Sequence, residues 1–174
     1  MSDFPALPGF YKLMYLHLEP ISTIAPSFFV WLFPGTAWFY GELIPGAPPV
    51  KEDSMDPRAT MAIWQLTNCY LLLGLISSLV FRAVRDALPH DPVAQERIVG
   101  ASLMALAIAD VSCIMIATWI GLPPELRYDP LSWNSVTHGS ITTVIILLSG
   151  RLAWFAGIGR KRYYYGQKLV KKED

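Results

Sequence analysis

Apolar residues are gathered in four long stretches of the chain, and most prolines and charged residues lie between them. Each stretch holds about 20 residues or more, enough to cross roughly 30 Å of hydrocarbon as a helix. Helices of a soluble four-helix bundle carry a charged face that recurs about every 3.6 residues, and these stretches lack one. The stretches are residues 10–33, 60–81, 98–122 and 136–158. We therefore predict an all-α integral membrane four-helix bundle over residues 1–159, followed by a basic, solvated tail over residues 160–174.

The composition agrees with a membrane protein and excludes several other classes. Of the 174 residues, 53% are hydrophobic and only 16% are charged. The 14 Lys and Arg balance 14 Asp and Glu, so the chain lacks the basic field typical of nucleic-acid binding. Cys69 and Cys113 lie in apolar runs without CxxC or Cys/His spacing. We expect neither a disulfide scaffold nor a metal site.

The basic residues predict the orientation in the membrane. With four spans, eleven Lys and Arg fall on the side of the two termini and three fall on the opposite side. Cytosolic segments are enriched in Lys and Arg, so both termini are expected to be cytosolic. Arg151, near the cytosolic end of the fourth stretch, is expected to extend its side chain to the membrane surface.

The last four residues, Lys171-Lys172-Glu173-Asp174, resemble the dilysine retrieval signal of endoplasmic-reticulum membrane proteins. That signal acts on cytosolic tails, which agrees with the predicted orientation. We therefore expect a multi-pass protein of the endoplasmic-reticulum membrane.

Two local features bear on packing. Pro20 and Pro26 each remove a backbone hydrogen bond, so the first helix should kink or unwind beside Glu19. In the third stretch small residues recur every four positions, which predicts a ridge for a neighbouring helix or for a homodimer. The ridge residues are Ala101, Ala105, Ala109, Cys113 and Ala117.

Polar side chains within the apolar stretches are the candidates for function. A charge at the bilayer centre costs about 3 kcal/mol on insertion scales, so such residues need a reason to be there. Glu19 and Asp110 are both expected near the middle of the membrane. Two polar pairs lie nearer the non-cytosolic side, and we predict that all six residues converge on one pocket. These pairs are Gln65 with Asn68, and Asn134 with His138.

Two carboxyl groups in a dry pocket suit acid–base catalysis. Desolvation and mutual repulsion favour one protonated acid and one ionised base. The acid of such a pair protonates an epoxide, alkene or carbonyl, while the base accepts a proton from water or a hydroxyl. The chain has no GxSxG, HExxH, P-loop or GxGxxG motif in the required context, so cofactor-independent chemistry on a lipophilic substrate remains.

Each candidate also has a structural interpretation. Glu19 is able to bond backbone groups freed by Pro20, and Gln65 and Asn68 are typical of contacts between helices. Trp64 and Trp133 are equally typical of aromatic residues at the membrane interface. If these interpretations hold, the protein is a lipid-binding or small-molecule-binding module without catalysis.

Five motifs resemble successive signatures of a family of small fungal membrane proteins, some of them encoded beside polyketide or terpenoid biosynthetic genes. The motifs are FYKLMYLHLEPIS, WQLTNCYLLLGL, LMALAIADVS, LSWNSVTHGS and RLAWFAGIG. A more distant resemblance is to membrane-bound meroterpenoid cyclases and emopamil-binding sterol isomerases. The resemblance implies functional roles for Glu19, Gln65, Asn68, Asp110, Trp133 and Asn134. The chain departs from the pattern at Val111-Ser112 and at Ser135-Val136-Thr137, which leaves the substrate open.

The sequence therefore favours an enzyme that opens an epoxide on a lipophilic polyketide or terpenoid, by hydrolysis or cyclisation. Glu19, Asp110 and His138 are the catalytic candidates, and no cofactor, metal or nucleic acid is expected. Double-bond isomerisation of a sterol-like substrate and non-catalytic binding remain as alternatives. The substrate-binding candidates are Tyr15, Trp64, Gln65, Asn68, Trp133 and Asn134.

Overall fold

A computed structural model of the chain describes residues 4–166, which are 74% helical and contain no strand. The helices are α1 (Phe10–Leu13), α2 (Glu19–Trp31), α3 (Thr36–Glu42), α4 (Pro57–Ala87), α5 (Pro92–Met115), α6 (Ser135–His138) and α7 (Val144–Ala156). Three π turns extend or join them: Met14–Leu18, Ile116–Gly121 and Gly139–Thr143. Short 3-10 turns lie in the loops at Glu52–Ser54, Pro124–Leu126 and Pro130–Ser132.

Within residues 4–166, three helical segments are long and apolar enough to cross a membrane, as expected of a membrane protein. They are Pro57–Ala87, Pro92–Gly121 and Ser135–Ala156. All three begin before the predicted apolar stretches, and the first two, which begin earliest, have aspartates that cap their first turns. Asp56 accepts a hydrogen bond from the Ala59 amide at 3.3 Å, and Asp91 accepts one from the Ala94 amide at 2.9 Å.

Residues 10–31 form a further continuous helical segment that contains both prolines. Its π turn ends at Leu18, directly before Glu19 and Pro20. Proline cannot donate to the preceding turn and its ring clashes with the carbonyl four residues earlier, which explains a wider turn there. The predicted local unwinding beside Glu19 thus takes the form of a π turn.

Helices α2 and α4 lie close together along the middle of the molecule. The Ser27 hydroxyl donates to the Thr67 carbonyl at 2.6 Å, which joins the two helices by a buried hydrogen bond. At Gly74 a Cβ atom would lie 2.6 Å from Cγ1 of Ile24 and 3.2 Å from the Pro20 carbonyl oxygen. Glycine at this position therefore permits the close approach.

The predicted small-residue ridge is used for packing only in its second half. Ala101, Ala105 and Ala109 are exposed, whereas the buried face of α5 carries Leu103 and Asp110 among others. Beyond them, Cys113 donates to the Ser140 carbonyl at 3.7 Å and Ala117 is half-buried. A role of this ridge in a homodimer stays a prediction.

The chain after α7 folds back against the start of α5. The carboxylate of Glu96 accepts hydrogen bonds from Arg160 at 2.8 Å and from the backbone N–H groups of Tyr163, Tyr164 and Tyr165. The side chains of Glu96 and Arg160 are both fully buried. The prediction of a solvated tail is therefore wrong for Arg160, since four donors converge on one carboxylate. The dilysine residues lie outside the described residues.

Replacing Gly74 by Ala should lower the free energy of unfolding by about 1–3 kcal/mol, because the added methyl group collides with Ile24. Thermal unfolding of the detergent-solubilised protein measures the effect. Gly139→Ala is the matched control, since a Cβ there meets nothing within 4 Å. Equal unfolding midpoints for the two variants would contradict the proposed close packing.

Candidate functional site

Three charged side chains from three different helices meet in the interior. Arg151 of α7 donates from one terminal nitrogen to Oε1 of Glu19 at 2.5 Å and from the other to Oδ2 of Asp110. The exposed fractions of the side chains are 1% for Arg151, 6% for Glu19 and 11% for Asp110. We call this cluster the carboxylate–arginine triad.

Local structure explains how each carboxylate reaches the guanidinium. Glu19 is the first residue of α2 and directly follows the π turn Met14–Leu18, which sets the direction of its side chain relative to α1. Asp110 continues the buried face of α5 after Leu103 and Leu106, at helical spacing. The triad thus lies on faces that helix packing already turns inward.

Gly150 brings the first helical segment against Arg151. A Cβ atom at residue 150 would lie 2.7 Å from the hydroxyl oxygen of Tyr15 and 2.9 Å from the sulfur of Met14. The Arg151 guanidinium carbon lies 5.7 Å from the centre of the Tyr15 ring, within the range of a cation–π interaction. Tyr15, predicted as a substrate contact, is therefore a buried neighbour of the triad.

The expectation that Arg151 reaches the membrane surface is wrong. A guanidinium has separate N–H groups in a planar fork, so it is able to pair with two carboxylates at once. The sequence contained a signal for this pairing, because two acidic residues buried in one interior require a cation beside them. Arg151 is the basic residue in the apolar stretch 136–158. Without Arg151 the basic residues still divide ten to three, so the predicted orientation does not depend on it.

The triad holds an uneven charge. Two ionised carboxylates and one guanidinium carry one excess negative charge, and a single proton shared by the carboxylates removes it. Oε2 of Glu19, Nε of Arg151 and the hydroxyl of Tyr15 are also buried and have no hydrogen-bond partner within residues 4–166. These three atoms are therefore able to form hydrogen bonds in addition to the two ion pairs.

Three other candidate residues lie elsewhere. Trp64, Gln65 and Asn68 face away from the buried side of α4 and line an open groove of about 660 Å³ with Trp31 and Cys69. The rings of Trp31 and Trp64 are stacked with centres 6.2 Å apart. The groove does not include any member of the triad.

Asn134 and Trp133 organise the loop before α6. Asn134 accepts a hydrogen bond from the Thr137 amide at 2.9 Å, and its own amide donates to the Glu42 carbonyl at 2.7 Å. The indole N–H of Trp133 donates to the Leu126 carbonyl at 2.7 Å. These contacts hold the loop and cap the first turn of α6.

His138 lies beside that loop as well, with Nδ1 at 2.9 Å from the Thr142 hydroxyl and its ring 5.5 Å from that of Trp133. The prediction of one pocket for all six polar residues is therefore wrong. The six residues occupy three places, with Glu19 and Asp110 in the triad, Gln65 and Asn68 in the groove, and Asn134 and His138 at α6. Depth along a helix does not determine which way a side chain faces. Residues 4–166 also contain no group of three His, Cys, Asp or Glu suited to a metal ion.

The family model DUF7704, described as a domain of unknown function, matches residues 4–161. The chain belongs to this family. No curated protein and no solved structure matches it. The DUF7704 match includes the whole triad, both walls of the groove and Arg160.

Replacing Arg151 by Leu should lower the free energy of unfolding by about 3–5 kcal/mol, because two buried carboxylates lose their counter-ion. Thermal unfolding in detergent measures the loss, and Arg58→Leu, at an exposed position of α4, is the control. Adding Glu19→Gln and Asp110→Asn to Arg151→Leu should recover much of the stability. An Arg151→Leu protein as stable as the wild type would show that the triad does not hold these helices together.

Proposed function

We propose that this protein is a multi-pass membrane enzyme that opens an epoxide on a lipophilic polyketide or terpenoid, without a cofactor. One observation carries the proposal: two carboxylates from different helices are held by one guanidinium. This arrangement favours one protonated and one ionised carboxyl group side by side. Those are the two states that acid–base opening of an epoxide requires.

The proposed chemistry balances within the triad. The protonated carboxyl group donates to the epoxide oxygen as one C–O bond breaks. The ionised carboxylate takes a proton from water or from a hydroxyl of the substrate as the new C–O bond forms. The two carboxyl groups then hold exchanged protonation states, and the proton returns between them, or their roles alternate, for the next turnover.

Asp110 is the carboxylate that we expect to face the substrate. Its side chain retains more exposure than that of Glu19, and its neighbours Ile108 and Val111 are exposed apolar residues of α5. A lipophilic substrate approaching from the bilayer would reach Asp110 first. Glu19 and Arg151 would then set its protonation state and direction.

The proposal includes an arrangement of four spans with both termini cytosolic, in the endoplasmic-reticulum membrane. In this arrangement residues 10–31 are the first span, added to the three long apolar helices, since they form one continuous helical segment and pack along α4. The eleven-to-three division of basic residues supports this orientation. The triad then lies at mid-membrane depth.

Glu19→Gln and Asp110→Asn should each reduce turnover of a lipophilic epoxide by about 10²-fold or more, the usual contribution of a general acid or base. Purified protein in lipid nanodiscs is assayed by product analysis, and Asp53→Asn, on an exposed loop, is the control. Unfolding midpoints are measured in parallel so that a loss of fold is recognised.

Isotopes distinguish the reactions in the same assay. Labelled oxygen from water enters the product of hydrolysis but not that of cyclisation. Deuterium from heavy water is bound to carbon only if a double bond is isomerised. Full activity in both folded variants would refute the proposal.

A non-catalytic lipophile-binding module is the second candidate, and the groove on α4 favours it. Stacked Trp31 and Trp64 provide an apolar wall, and Gln65 and Asn68 provide amides on the same surface. Aromatic walls with a few polar groups are typical of small-molecule sites.

If binding is the function, Asn68→Leu should weaken binding of a radiolabelled sterol about tenfold, through one lost hydrogen bond. Equilibrium binding in nanodiscs measures the affinity. Ser149→Leu, an exposed polar position on α7, is the matched control, and Glu19→Gln should bind normally. Equal affinities for the wild type and Asn68→Leu would exclude this groove as the site.

A further inference from the structure

We infer a separate binding site for a lipophilic molecule with one hydroxyl or carbonyl group, in a cavity between α3 with its following loop, the end of α5 and the start of α6. The cavity has a volume of about 500 Å³. This volume falls in the range typical of small-molecule sites. Its lining includes Tyr40, Leu43, Ala117, Leu122, Thr137 and Ile141.

The cavity owes its shape to two π turns. Ile116–Gly121 contributes Ala117 and Gly121, and Gly139–Thr143 contributes Ser140 and Ile141. A π turn widens a helix locally and is frequently found at functional sites. Two such turns thus form parts of the wall of one cavity.

Thr137 contributes a buried hydroxyl group to the cavity wall. Only 5% of the residue is exposed, its Oγ1 has no hydrogen-bond partner within residues 4–166, and it lines the cavity. Its backbone N–H is already bonded to Asn134. The hydroxyl oxygen is itself enclosed, so binding requires the Thr137 side chain to rotate about χ1 and turn the hydroxyl toward the ligand. Leaving a buried hydroxyl unpaired is costly, and a ligand hydroxyl or carbonyl would satisfy it.

The surrounding side chains restrict the rest of the ligand. Tyr40 and Ser140 also bring hydroxyl groups to the lining, but most of it is apolar, with Leu43, Leu122 and Ile141 among its members. Most of the ligand beyond its polar end must therefore be hydrocarbon. One hydrogen-bonding group on an apolar body describes an isoprenoid or sterol alcohol or ketone.

This site does not depend on the triad. Ala117 lies seven positions beyond Asp110 on the same helical segment, which corresponds to about 10 Å along the axis. No triad residue lines the cavity. Binding here and catalysis at the triad therefore fail or succeed separately.

Photolabelling tests the inference. A diazirine-bearing isoprenoid alcohol and a matched hydrocarbon probe that lacks the hydroxyl are each irradiated with the wild-type protein in nanodiscs, and labelled peptides are identified by mass spectrometry. The alcohol should label the peptides containing Ala117 and Ile141 about tenfold more than the hydrocarbon, the factor expected from one buried hydrogen bond.

Variants distinguish the contribution of the Thr137 hydroxyl from that of the cavity volume. Thr137→Val should reduce labelling by the alcohol to the level of the hydrocarbon, and Thr137→Ser should retain it. Ala117→Phe, which fills the cavity, should abolish labelling by both probes, whereas Ala101→Phe on the exposed face of α5 should not. Equal labelling by the two probes, or undiminished labelling of a folded Thr137→Val or Ala117→Phe protein, would overturn the inference.

Discussion

The pairing of Arg151 with Glu19 and Asp110 is the constraint on which the arrangement of the long helices depends. Each of these groups alone would be costly to bury in an apolar interior, and each is acceptable only where the others are. The cluster therefore helps to fix the rotation of α2, α5 and α7 about their axes. It acts together with the apolar packing that turns Leu103 and Leu106 of α5 to the same interior.

The departures from regular helix geometry are concentrated around the proposed sites. One π turn precedes Glu19, and the other two line the cavity beside Thr137. Glycines complete the first of these sites, since Gly150 leaves room for Tyr15 against Arg151. The interior thus combines regular packing between α2 and α4 with local irregularity where polar groups are buried.

Much of the fold was predictable from the sequence, and rather less of the site. Hydropathy located the long helices to within a few turns, and depth counting placed Glu19 and Asp110 at one level. The rotational position of Gln65 and Asn68 was not predictable, because residues 59–81 of α4 carry no charged side chain that would mark a solvent-facing side. Arg151 was misassigned for a related reason: its distance from the helix end suggested the surface, whereas its partners lie on other helices. The packing of Arg160 on Glu96 was likewise invisible, since it joins residues 64 positions apart.

The position of Arg151 on the last long helix also has a consequence for biosynthesis. Glu19 and Asp110 are synthesised well before their counter-ion, so the growing chain carries two uncompensated acids until α7 is made. The triad is therefore completed only when α7 has been made, and any product that stops short of residue 151 keeps both acids without their counter-ion. Cellular quality control that senses unpaired charge in the bilayer would distinguish the finished protein from its fragments by this one side chain.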